Sequence, residues 1–119
     1  MDKMLRQALL YDFYGELLTE HQKSIYEDFV LNDYSLSEIG EDRKISRQGV
    51  YDIIKRCDKL LNGYEEKLHL IQKFLMAKEQ VAKIHELASE ILKAEGAPDK
   101  ATGYLRQIEN ISNGILEEM

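Results

Sequence analysis

Between residues 43 and 59 the chain gathers Arg43, Lys44, Arg47, Lys55, Arg56 and Lys59, six of its 16 basic residues, and intersperses Ser46, Gln48 and Tyr51. These side chains donate hydrogen bonds and carry positive charge. They suit recognition of phosphates and base edges rather than making or breaking bonds. Groups able to do covalent chemistry are scattered. His21, His69 and His85 fall into no HExxH or Cys-His spacing, so no metal site is expected. The adjacent acids Glu65 and Glu66, and Glu117 and Glu118, read as solvated faces. Cys57 is the one cysteine and reads as a small core residue without a disulfide partner. With neither a glycine-rich phosphate loop nor a nucleophile elbow, neither an enzyme nor a cofactor is expected.

Two short amphipathic segments are needed to position the basic set, and residues 35–61 supply them. Ser35 followed three residues later by Glu38 is a capping box, which predicts a helix from about Leu36. Residues 41–44 interrupt its apolar spacing, so it must be short. Ser46 repeats the device and opens a second helix at Arg47, along which Val50, Ile53, Ile54, Cys57, Leu60 and Leu61 form one apolar stripe. Ser46, Arg47, Gln48, Tyr51, Asp52 and Lys55 fall off that stripe. The pattern is a helix-turn-helix, with Ser46, Arg47, Gln48, Tyr51 and Lys55 as the base-facing set of a major-groove helix and Arg43, Lys44, Arg56 and Lys59 near phosphates. Gly40 sits where a side chain would collide with the crossing second helix. Lys44 occupies the turn position where positive φ is usual and glycine is common.

Charge tempers this reading. The chain has 22 acidic residues for a net charge of −6, whereas residues 35–60 carry six basic and five acidic side chains, the least acidic stretch. So small a surplus predicts weak, weakly salt-dependent binding to double-stranded DNA unless a homodimer doubles the patch.

The rest of the chain of 119 residues reads as helix throughout, with one proline and no alternating β-branched runs. Helix one is apolar on more than one side. Thr19 and Gln22 form another capping box, opening a helix with Ile25, Tyr26, Phe29 and Val30 inward. Asn32 and Asp33 make a turn into Ser35. Asn62 and Gly63 offer an end or a bend to the recognition helix, dividing residues 1–62, the helix-turn-helix domain, from residues 63–119, a helical extension. A helix of roughly 30 residues, about 45 Å long, is expected from residue 64 to about 95, stopped by Gly96, Ala97 and Pro98. A last helix then runs from Asp99 through Ile115. The long helix outruns what a four-helix core can shield. Leu68, Ile71, Phe74, Leu75, Val81, Ile84 and Ile91 therefore read as a surface for the terminal helix, a second copy or another protein. Nothing approaches the roughly 18 to 20 apolar residues of a membrane span. The N-terminus has no signal-peptide pattern, which suits the cytoplasm.

The segments LTE, DYSLSEI, SRQGVYDIIKR and YEEKLHL, within residues 17–74, resemble the bacterial YlxM family of helix-turn-helix proteins, whose core is similar to region 4 of sigma factors. The resemblance implies an all-α fold: a winged-helix-like core of three to four helices without the wing, then a long helix and a short terminal one. It also implies a cytoplasmic protein encoded beside the signal recognition particle GTPase, hence a component of that particle as a partner. Two functions follow. One is a dimeric DNA-binding regulator, and the alternative is a helical adaptor that binds a protein or ribonucleoprotein of the secretion pathway.

Overall fold

A computed structural model describes residues 2–93 and 99–118. Among these residues six α-helices follow one another: α1 (Lys3–Tyr14), α2 (Glu20–Val30), α3 (Leu36–Arg43), α4 (Arg47–Leu68), α5 (Leu70–Lys93) and α6 (Asp99–Glu118), with a 3-10 turn over Gly15–Leu17. Among the described residues there is no strand, so the chain is all-α. It divides into two compact units, Met1–Ile71 and Gln72–Met119. The expected stop at Gly96, Ala97 and Pro98 lies outside the described residues.

In the first unit α4 is the pillar on which α1, α2 and α3 all pack. Val50, Ile54, Cys57 and Leu61 of its apolar stripe are buried against Leu10, Tyr14, Ile25, Tyr26 and Ile39. Burying a side chain of this size contributes roughly 1.5–3 kcal/mol. Two stripe positions differ from expectation: Ile53 is half-buried and Leu60 is exposed, because three short helices cover only one side of α4. Polar atoms inside the core find partners. The Tyr26 hydroxyl donates to Asp58 Oδ1 at 2.6 Å, and Gln7 Nε2 donates to the same oxygen at 3.0 Å. Burial, then that carboxylate, pushes the Tyr26 phenol well above its usual range. Burial likewise raises the Cys57 thiol to about 11, which makes it inert at neutral pH.

No end or bend occurs at Asn62 and Gly63, since α4 runs through both to Leu68. Nor is there one continuous helix from residue 64. His69 takes a left-handed conformation, φ 55° and ψ 29°, and α5 starts afresh at Leu70. A non-glycine residue there costs roughly 1–2 kcal/mol. The offset comes from Glu65, read from sequence as solvated but in fact buried on the continuation of the α4 stripe. Its Oε1 accepts from the Tyr14 hydroxyl at 2.5 Å and from the Ile71 amide at 2.9 Å, while the Leu70 amide donates to the Tyr14 hydroxyl at 3.2 Å. Two amides at the start of α5, which have no acceptor within their own helix, are thereby satisfied.

In the second unit α6 lies alongside α5, joined by a polar layer. His85 Nδ1 is 3.2 Å from Ser112 Oγ and 3.3 Å from the Glu109 carbonyl, and Ser89 Oγ donates to Glu109 Oε2 at 2.5 Å. Ala88 and Ser112 are buried at this seam. A second stripe remains outside it: Ile84, Leu87 and Ile91 on α5, and Tyr104, Ile108, Ile111 and Ile115 on α6, are each exposed.

Candidate nucleic-acid interface

Local chemistry fixes the helix-turn-helix. Ser35 Oγ accepts from the Glu38 amide at 3.1 Å and Glu38 Oε1 from the Ser35 amide at 3.2 Å, closing the capping box of α3. The helix ends at Lys44, with φ 59° and ψ 42°, and the Ile45 amide turns back to the Gly40 carbonyl at 2.9 Å. The tight turn explains Gly40 differently from the sequence argument. A Cβ there would lie 2.7 Å from the Ile45 carbonyl oxygen and 3.6 Å from the Arg47 nitrogen, so the first obstacle is the backbone of the turn, ahead of the crossing helix itself. Ser46 Oγ accepts from the Gly49 amide at 2.9 Å and starts α4. That bond occupies the Ser46 oxygen as a cap and leaves its proton to donate outward.

From this start α4 presents Arg47, Gln48, Tyr51, Asp52, Lys55, Arg56 and Lys59 on its exposed side. Four of the five base-facing candidates, Arg47, Gln48, Tyr51 and Lys55, share the first turns of the helix, with Ser46 at its cap. Gln48 Nε2 donates to Asp52 Oδ1 at 2.9 Å, so the amide most suited to an adenine edge is engaged by the acid one turn on. The Lys55 ammonium stands 5.5 Å from the centroid of the Tyr51 ring, a cation–π contact of about 0.5–1 kcal/mol at an exposed site.

Two assignments change with geometry. Arg43 does not point outward: its Nη2 donates to Ser24 Oγ at 2.7 Å and to Asp28 Oδ2 at 2.8 Å, and its Nε to Asp42 at 3.2 Å. A guanidinium with 23% of its side chain exposed and paired in this way ties α3 to α2 and is withdrawn from the phosphate set. Lys44, Arg56 and Lys59 are exposed and in no ion pair among the described residues. Conversely, Lys3 was not singled out from sequence. With Met4 and Gln7 of α1 it lines the same shallow cleft as Tyr51 and Lys55, adding a cation from a helix distant in sequence. No local spacing could have signalled it.

The acids of the motif are also sorted. Asp58 faces inward to Tyr26 and Gln7, Glu38 serves the capping box, and Asp42 pairs with Arg43. Glu41 shares a shallow pocket with Lys44 and Arg47, and Asp52 stands on α4, so two acids remain beside the reading face.

The expected partner surface does not form one stripe. Leu68 is exposed at the end of α4, before the break, and Ile71 is 4% exposed and belongs to the core of the first unit. Phe74, Leu75 and Val81 are half-buried, while Ile84 and Ile91 are exposed. The exposed stripe keeps Ile84 and Ile91 of that expectation and adds Leu87 of α5 and Tyr104, Ile108, Ile111 and Ile115 of α6. Among the described residues no helix is long and apolar enough to cross a membrane.

Residues 1–97 match the model of a family described as "Putative helix-turn-helix protein, YlxM / p13 like". A UPF0122 protein of Caldanaerobacter subterraneus subsp. tengcongensis is 53% identical over 85 residues, 71% of this chain and 73% of the relative. One from Bacillus velezensis is 43% identical over 111 residues, 93% of this chain and 97% of the relative. The UPF0122 protein YlxM of Bacillus subtilis is 49% identical over 89 residues, 75% of this chain and 81% of the relative.

Proposed function

The chain belongs to the YlxM / p13-like helix-turn-helix family, and we propose from that membership and from the exposed face of α4 that it is a DNA-binding regulatory protein. The supporting observation is the placement of Arg47, Gln48, Tyr51 and Lys55 on one solvent-facing side of a helix whose other side is locked into a core. In this reading Ser46, Arg47, Gln48, Tyr51 and Lys55 face the bases, and Lys44, Arg56 and Lys59 meet phosphates. Two copies would present two such helices to half-sites about one turn apart. The open apolar stripe of α5 and α6 is the surface a second copy would cover, forming a bundle of four helices. Selection of duplexes from random-sequence DNA, followed by titration of the selected duplex, tests the reading. Arg47→Ala should cost about 1–3 kcal/mol on the selected duplex, and Lys59→Ala should lower the slope of log affinity against log salt by about one. If neither variant alters binding, the assignment falls.

The second reading is an adaptor that binds a protein or ribonucleoprotein of the signal recognition particle pathway. The same stripe favours it, since seven large apolar side chains stand open there. Light scattering of the purified chain separates the two uses of this surface: a dimer that Ile111→Glu dissociates assigns the stripe to a second copy. A monomer that forms a salt-tolerant complex with the reconstituted particle assigns it to the adaptor.

A further inference from the structure

The outer side of the C-terminal half of α4 shares Arg56 and Lys59 with the proposed phosphate contacts and adds side chains that reading DNA does not use. A shallow groove there is lined by Arg56, Lys59, Leu60, Gly63, Tyr64 and Lys67. Its cations sit at spacings of three and eight along one helix face, spanning about 16 Å. None of the three is in an ion pair among the described residues, and no acid lines the groove. Its floor is apolar: Leu60 is 37% exposed, and a Cβ on Gly63 would meet nothing within 4 Å. Glycine in an exposed helix interior weakens the helix without any packing inside this chain to require it.

We propose that this groove docks an acidic amphipathic helix of a protein partner, which lays one apolar side chain over Leu60 and Gly63 and sets carboxylates against Arg56, Lys59 and Lys67. The bare backbone at Gly63 decides between a peptide and a nucleic acid. Its amide is already spent within α4, so a phosphate gains no donor from it, whereas a partner helix gains a closer approach. Leu60 would be left wet beneath a sugar-phosphate chain but is covered by an apolar anchor. The Tyr64 ring is tilted against Tyr14 at 6.1 Å and is not a free platform for a base. Carboxylates three to four residues apart on a helix match Arg56 and Lys59, a further one about two turns on matches Lys67, and bidentate pairing favours arginine at the end of the row.

The test is selection of a displayed library of 18-residue helical peptides on the full chain, with anisotropy titration of the enriched peptides. Enriched peptides should be acidic, with an aliphatic or aromatic anchor at helical spacing. Gly63→Leu, which fills the groove and should melt at or above the parent, and Lys67→Glu should each weaken them at least tenfold while leaving DNA affinity unchanged. Enrichment of neutral or basic peptides, no enrichment, or peptide affinity indifferent to both variants overturns the proposal. So does a parallel loss of DNA binding in Gly63→Leu, which would make the groove part of the DNA face. Self-association abolished by the same variant would replace the partner with a second copy and likewise overturn it. Loss of DNA binding in Arg47→Ala bears only on the first reading, so the two can fail separately.

Discussion

The two units solve the burial problem in opposite ways. In the first, four helices close on a core in which even the polar atoms of Gln7, Tyr14, Tyr26, Asp58 and Glu65 have partners, and the surface left over mixes charge with scattered apolar side chains such as Met4, Leu5, Leu17 and Leu31. In the second, two helices meet along a layer of His85, Ser89, Glu109 and Ser112 and leave a full apolar stripe in water. A hairpin cannot cover its own second face. The difference teaches that the helix-turn-helix rests on a core closed within its own unit, whereas the second unit leaves seven large apolar side chains exposed.

The largest effect should come from Gly40→Ala. The added methyl meets the Ile45 carbonyl oxygen at 2.7 Å with no flexible side chain to move, so the turn must open, at an expected cost of about 3 kcal/mol. Hydrogen exchange should accelerate in α2, α3 and α4 and not in α6. Equal acceleration in α6 would break the division into two units. Glu65→Ala should come next, at about 2–3 kcal/mol, because the Tyr14 hydroxyl and the Ile71 amide both lose a buried acceptor. Chemical denaturation measures it. A loss below 0.5 kcal/mol would mean that water replaces the carboxylate without penalty and that the junction is not part of the first core.

Alkaline pH offers a smaller, directional test. Cys57 titrates at about 11 in the folded chain against 9.0 ordinarily, and Tyr11 at about 12 against 10.0, each mainly through burial. Raised acids hold their protons in the folded state while the unfolded chain releases them. Stability is therefore fully present below pH 9 and falls as pH climbs through 9 to 11 for Cys57 and 10 to 12 for Tyr11. Cys57→Ala should abolish the earlier part of that decline, read from melting temperature against pH. An unchanged profile would mean that the thiol is not buried in solution.

Much of this was legible in the chain. Serine and threonine caps followed by Glu38 and Gln22, and the stripe of Val50, Ile54, Cys57 and Leu61, are local patterns, and each helix start they imply is where the structure has it. Lys44 was legible too, since a turn this tight demands positive φ whatever residue fills it. What escaped depends on partners distant in sequence. Nothing near His69 announces a break, because the acceptor that permits it is Glu65 held by Tyr14 from α1. Arg43 looked like its neighbours until Ser24 and Asp28 claimed it. Leu60 continued the stripe on paper, yet it stays 37% exposed. For the reading face the residue types were enough to nominate candidates, and only packing could tell an outward cation from a tied one.

The smallest expected effect bears on the charged half of the comparison. Asp52 stands among Gln48, Lys55 and Arg56 on α4, repelling phosphate and holding the Gln48 amide through a 2.9 Å bond. Asp52→Asn removes the charge and keeps the shape. If α4 enters a major groove, affinity for the selected duplex should rise about three- to tenfold, the worth of one screened unit charge at close range, and the slope against salt should steepen. Gln48→Ala in the Asp52→Asn background should then reverse part of the gain, because the freed amide is what reads the base. If the acid instead faces a protein, the same substitution leaves DNA untouched and weakens that complex, and the charged face of the first unit, like the apolar stripe of the second, is a surface for protein.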